Sequence, residues 1–142
     1  MANSIQCEIV SAERSIFSGT ISQLIAAGVM GDLGIIPGHS PLLTELKPGP
    51  LRVFDEGDEE QIYYVAGGFL EVQPDVVSVL ADSAVRARDL DEAEAESARE
   101  EAQKALNEQK SDLDYTRAAA ELAEAMAKLR TLDQLRRMSG KR

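Results

Sequence analysis

Ile5, Cys7 and Ile9 alternate with Gln6 and Glu8, the period-two pattern of a strand with one buried face, and the alternation fails at Ser11. A second β segment is expected over residues 21–27, entered through a turn at Ser18-Gly19. Further on, residues 51–54 and 62–66 flank the acidic stretch 55–60, while residues 69–72 and 76–81 flank Gln73-Pro74-Asp75. Each set reads as a hairpin, the second with proline where a type I turn accepts it, and Gly67-Gly68 makes a corner between them. The intervening stretch, 31–49, follows neither period. Gly31, Gly34, Pro37, Gly38, Pro41, Pro48 and Gly49 punctuate it among Leu33, Ile35, Ile36, Leu42, Leu43 and Leu46. It is expected to be a shaped, largely covered loop region whose edge meets a partner. Short β segments at close spacing predict a sandwich or flattened barrel.

From Asp89 onward there is no proline, no glycine until Gly140, and a dense supply of Ala, Glu, Gln, Lys, Arg and Leu, the strongest helix formers. Asp89 or Asp91 can cap a first helix, and the acidic run Asp91, Glu92, Glu94 and Glu96 suits its positive end. Leu90, Ala93, Ala98, Ala102 and Ala105 give it a thin stripe. After a break at 107–112, Ser111 or Asp112 can cap a second helix, with Tyr115, Ala119, Leu122, Met126, Leu129 and Leu132 in steps of three and four. The short link implies an antiparallel pair. The expected fold is therefore α+β: an antiparallel β-sandwich, or flattened barrel, over residues 1–87, then an antiparallel two-helix hairpin over 88–142. Alanine contacts bury little area, at about 25 cal/mol per Å². The hairpin is either a weakly held, mobile arm or a plain docked one.

The net charge of −10 over 142 residues argues against general nucleic-acid binding. It is unevenly placed. Lys128, Arg130, Arg136, Arg137, Lys141 and Arg142 stand against Asp133 alone, a local +5 over residues 128–142 that leaves −15 on the rest. A basic end on an acidic body calls for an acidic partner. Cys7 is the only cysteine, so no intrachain disulfide forms, and the amino terminus has neither signal nor transit character, which points to a cytoplasm-like compartment. The 17 residues from Ser15 to Gly31 carry no charge, but Ser18, Gly19, Thr20, Ser22 and Gln23 interrupt them, and no bilayer insertion is expected.

Catalytic chemistry finds little support. His39 is the only histidine and has no nucleophile beside it, Cys7 sits on an apolar strand face, and residues 55–60 lack the spacing of a calcium loop. There is no phosphate-binding glycine loop. No catalytic residue and no metal are expected.

Val10-Ser11-Ala12-Glu13 followed by Phe17-Ser18-Gly19, then residues 31–49, then YVAGGFLEV from Tyr64 and VLADSA from Val79, closely resemble in that order the ε subunit of bacterial rotary ATP synthases. The resemblance runs essentially end to end. It implies a non-catalytic rotor subunit of the central stalk that couples proton-driven rotation to ATP synthesis and restrains ATP hydrolysis through its C-terminal helices. Implied partners are the γ subunit, the ring of c subunits, and the α and β subunits of the catalytic head. The implied place is the cytoplasmic face of the bacterial inner membrane, held peripherally. Gly28, Val29, Met30, Gly31 and Asp32 would face the ring, and His39, Ser40, Pro41, Leu42 and Leu43 would lie against γ. Lys128, Arg130, Arg136 and Arg137 would meet acidic loops of the head when the hairpin extends. Leu113-Asp114-Tyr115-Thr116-Arg117-Ala118 resembles the motif with which some members bind regulatory ATP between the folded helices. Asp114 would take the adenine amino group and Arg117 would supply positive charge. Glu124 stands where nucleotide-binding members can carry a further arginine, which implies weak or absent binding. The bland alternative for Asp114 and Arg117 is an ordinary surface ion pair and a favourable helix-dipole contact.

Overall fold

The computed structural model describes residues 4–108 and 111–140. Ten strands come first: β1 (Ile5–Val10), β2 (Ser15–Ile21), β3 (Gln23–Gly28), β4 (Gly31–Ile35), β5 (Leu42–Leu46), β6 (Gly49–Phe54), β7 (Glu60–Val65), β8 (Gly68–Val72), β9 (Val76–Ala81) and β10 (Ala84–Arg86). They form one sheet in the order β10-β7-β6-β3-β5-β8-β9-β1-β2, with β4 paired to the other side of β3. β3 and β5 meet only through Gly28 and Leu46. The sheet folds over there into two layers.

The alternation in β1 places Ile5, Cys7 and Ile9 inward. They join Leu24, Leu51, Val53, Tyr63 and Val65 of the facing layer and Leu70, Val72, Val77 and Val79 of their own in one aliphatic core. Each such side chain stabilises the fold by about 1.5–3 kcal/mol when fully buried. Phe17 and Tyr63 meet edge to face at 6.4 Å between centroids, which brings β2 of one layer to β7 of the other. The sandwich is antiparallel except where β1 runs parallel to β9, pairing Gln6 with Val76 through to Val10 with Leu80.

Three expectations give way. Ser18 and Gly19 lie inside β2, opposite Glu8 and Cys7, and the turn comes earlier, where the Ser11 amide donates to the Arg14 carbonyl at 2.9 Å. Small polar residues suit an edge strand open to water as well as they suit a turn, and here Ser18 also donates to Glu8 Oε1 at 3.0 Å. Residues 31–49 are not mainly loop but contain β4 and β5. Of the glycines there, only Gly31 (φ 127°) and Gly38 (φ 89°) need a left-handed backbone, so Gly34 and Gly49 pass as strand residues. A tenth strand, β10, pairs with β7 beyond the expected end of the sheet.

A short 3-10 turn, Ala87–Asp89, leads into α1 (Glu92–Asn107), and α2 spans Asp112–Gly140. Asp91 caps α1 by accepting from the Glu94 amide at 3.0 Å, and Ser111 accepts from the Asp114 amide at 3.1 Å. Arg136 near the end of α2 bonds Glu92 at the start of α1, which fixes the two helices as antiparallel. The buried positions match the expected stripes only at Ala102 and Leu132. α1 buries Ala95 and Ala102, while Ala93, Ala98 and Ala105 stay exposed. In α2 the buried residues are Ala118, Ala125, Ala127, Thr131 and Leu132, and Tyr115 and Met126 are exposed. α2 packs against both α1 and strands β6 and β7. Ala118, Ala125 and Leu132, seven apart, share one side, and Ala127 and Thr131 lie on another. Close approach on two sides selects small residues and leaves the larger ones outside.

Candidate functional site

Three surfaces and one groove collect the residues singled out by sequence. The first is the tip joining β3 to β4. Gly28 pairs with Gly31 across Val29 and Met30, so the chain reverses in two residues and Met30 is 94% exposed. The tip is braced from behind, because the Val29 amide donates to Glu45 O at 3.1 Å and the Lys47 amide to Ala27 O at 3.0 Å. Asp32 is exposed beside it. A large apolar side chain held forward on a firm backbone is built to be covered.

The second surface is the outer face of β5, β8 and β9. The turn before it is closed by the His39 amide donating to Ile36 O at 3.1 Å, and His39 Nδ1 donates to Ser40 O at 2.7 Å. That bond occupies the ring in shaping the turn. Ser40 and Pro41 follow, Leu42 packs against the core, and Leu43 points the other way, 65% exposed. Beside it are Phe69, 48% exposed, and its direct cross-strand partner Leu80, 46% exposed. Neither was identified from sequence, although Leu80 breaks the polar-out alternation of its strand. Leu43, Phe69 and Leu80 form an apolar row crossed by Glu45 and Glu71, which pair with Phe69 and Leu43.

The third is the basic end of α2. Lys128 pairs with Glu124 at 3.4 Å and lies over the Tyr64 ring at 5.7 Å. Arg136 is held by Glu92 and by Asp133 at 3.3 Å. Arg130 and Arg137 line a cavity of about 300 Å³ together with Asp32, Lys47 and Asp133. Asp32 beside the β3–β4 tip and the basic helix end thus share one cavity. Lys141 and Arg142, counted in the basic tail, lie outside the described residues.

The groove between α1 and α2 bears on nucleotide. Leu113, Asp114 and Arg117 are exposed on the first turns of α2, and Ala118 is buried. Among the described residues Asp114 and Arg117 form no ion pair, while Asp114 does lie in the first turn of α2, where its charge suits the helix dipole. The groove, about 190 Å³, is walled by Glu94 and Glu101 from α1 and Glu121 and Glu124 from α2, with Lys128 as the one cation among the described lining residues, and Leu113, Asp114, Arg117 and Ala118 do not line it. Four carboxylates repel a polyphosphate. Sequence spacing carried the signal, since Glu94 and Glu101 are seven apart on one helix face.

The remaining candidates are structural. Cys7 is fully buried, and desolvation, with a smaller contribution from the Glu8 charge, pushes its thiol up to about 12, so it is inert at neutral pH. Asp55 closes its own hairpin tip, accepting from the Gly57 amide at 2.8 Å and the Glu59 amide at 2.9 Å. No group of acidic, cysteine and histidine side chains among the described residues could hold a metal. No helix among them is long and apolar enough to cross a membrane.

The comparisons fit this anatomy. Residues 4–87 match the family model of the ATP synthase delta/epsilon chain β-sandwich domain, and residues 88–133 match that of its long α-helix domain. A relative described as the ATP synthase epsilon chain of Chromohalobacter salexigens is 72% identical over 139 residues, covering 98% of this chain and 99% of that one. A chain of the Euglena gracilis mitochondrial ATP synthase, solved with OSCP, F1 and c-ring, superposes with a TM-score of 0.83 at 22% identity, covering 89% of this chain and 80% of that one. A chain of the Tetrahymena thermophila mitochondrial ATP synthase central stalk and c-ring gives 0.62 at 12% identity, covering 90% and 96%. At those identities the two structures speak to fold alone. The chain therefore belongs to the ATP synthase delta/epsilon family and sits among its epsilon chains, a subunit of that complex rather than an enzyme in its own right.

Proposed function

We propose that the chain is a central-stalk subunit whose sandwich couples rotation of the c-ring to the catalytic head, and whose hairpin restrains ATP hydrolysis. The observation that carries this reading is the division of the sandwich surface. The hairpin covers the outer face of β6 and β7, while the Met30 tip and the Leu43, Phe69, Leu80 row on other strands are left free. Two uncovered apolar surfaces on one small acidic domain call for two partners. Gly28, Val29, Met30, Gly31 and Asp32 meet the c-ring, and residues 39–43 with Phe69 and Leu80 meet γ. On release of the hairpin, Lys128, Arg130, Arg136 and Arg137 face the α and β subunits of the head. The protein works peripherally at the cytoplasmic face of the bacterial inner membrane.

Substitutions at Gly31 or Gly38 test this poorly, because their positive φ strains any side chain. Met30→Glu is cleaner, since its side chain supports nothing within the fold. In inverted membrane vesicles, ATP-driven proton pumping should fall relative to ATP hydrolysis, while the melting temperature of the isolated chain stays within a degree or two of wild type, roughly the shift expected of a neutral surface change. Unaltered pumping would remove the tip from the ring interface.

The acidic groove leads us to propose further that the hairpin is not a nucleotide sensor. Titrating the full chain with millimolar ATP in a calorimeter should give no saturable heat. A saturable isotherm would contradict the repulsion assigned to Glu94, Glu101, Glu121 and Glu124.

A further inference from the structure

The face of β7 that α2 covers holds one polar atom with nothing to bond. Tyr64 is 2% exposed, and its hydroxyl has no hydrogen-bond partner among the described residues. The neighbouring Tyr63 points into the core and still donates to Gln61 Oε1 at 2.9 Å, so phenols on this strand are not deprived in general. The deficit belongs to the face beneath the helix. Burial above all, reinforced by the Glu124 charge, pushes the Tyr64 pKa upward, so the group remains a protonated donor lacking an acceptor.

A buried donor without an acceptor is unfavourable only while it is buried. When α2 lifts, water supplies the missing bond. The other fully buried polar side chain of this region behaves differently. Thr131 donates to the Ala127 carbonyl at 2.8 Å, within its own helix, and keeps that bond whether the helix is docked or free. Among the buried side chains of the described residues, Tyr64 alone gains a hydrogen bond on release. The ring itself favours docking, being covered by α2 and by the Lys128 ammonium at 5.7 Å. One side chain thus anchors the helix through its ring and opposes it through its hydroxyl.

We propose that the Tyr64 hydroxyl is a destabilising element built into the docking face of the hairpin, which holds docked and released forms close enough in free energy for contacts in the assembled enzyme to choose between them. The inference rests on the reading of the hairpin as a mobile regulatory arm. It inverts the usual expectation for an interface residue, because trimming the side chain by one atom strengthens the interface.

The test is amide hydrogen exchange on the full chain, following α2 between residues 123 and 135 and using β9 as the reference for global opening. Tyr64→Phe keeps the ring and removes the hydroxyl, and α2 exchange should slow on the order of tenfold. In the assembled enzyme the same variant should hydrolyse ATP faster, because more hairpins stay docked. If α2 of wild type exchanges ahead of β9 but Tyr64→Phe leaves α2 unchanged or faster, the role given to the hydroxyl is wrong and the mobile arm stands. If α2 of wild type exchanges no faster than β9, the hairpin does not open on its own, and both readings fall.

Discussion

Gly68→Ala is expected to destabilise the sandwich severely. Gly68 opens β8 with a φ of 136°, a region that side chains with a Cβ rarely enter. A Cβ there would lie 2.1 Å from the Leu80 carbonyl oxygen and 2.9 Å from the Ala81 Cα. These are backbone atoms of the adjoining β9 ladder, where Gly68 pairs with Ala81 and also with Leu46 of β5. No rotamer change relieves the clash. Either the β8–β9 register shifts or the corner opens, at a cost of about 4 kcal/mol or more. Against a typical domain stability of roughly 5–15 kcal/mol, that removes a large share of the total and leaves the sandwich marginal at the lower end of the range. Gly34→Ala is the control, since nothing lies within 4 Å of its would-be Cβ and its φ is not positive. Urea unfolding should show a wild-type midpoint for Gly34→Ala and a lost or strongly shifted transition for Gly68→Ala. A wild-type midpoint for Gly68→Ala would contradict the corner geometry.

The other large effect concerns the whole enzyme. Removing residues 90–142 keeps all ten strands and the buried Ala87 of the 3-10 turn, and takes away both helices. In the assembled synthase, ATP hydrolysis should rise several-fold, because the element proposed to block the head is gone. The truncated sandwich newly exposes Ile62 and Tyr64, which are buried in the full chain, so some loss of solubility accompanies the gain. Assembly with the head should be retained, because the proposed γ surface lies on β5, β8 and β9, which the truncation leaves in place. Unchanged hydrolysis in an enzyme that still assembles would defeat the inhibitory half of the function, while leaving coupling untouched.

Sequence carried the outline of the fold because the signals there are local. The alternation at Ile5, Cys7 and Ile9, the acidic tip closed by Asp55, and the switch to helix formers near residue 88 each act within a few residues of themselves. The misreadings arise where one residue type serves two geometries. Gly34 and Gly49 look in sequence like Gly31 and Gly38, yet only the latter pair adopts positive φ. On α2, hydrophobicity favours Tyr115 and Met126 over Ala127 and Thr131, but a helix gripped on two sides buries what is small. Residues 28–32 and 39–43 could be singled out through the resemblance because each is one contiguous stretch of the chain. Phe69 and Leu80 become one surface only when β8 and β9 pair, and no neighbourhood in the chain announces that.

The parallel ladder between β1 and β9 also sets when the molecule can form. Gln6 finds its partner in Val76, seventy residues later, so β1 cannot complete its pairing until β9 has been made. Until then β1 has only β2 beside it in the sheet. Closing so long a loop makes folding slow relative to that of helical chains of this size, and one edge of β1 stays open to intermolecular pairing until β9 arrives.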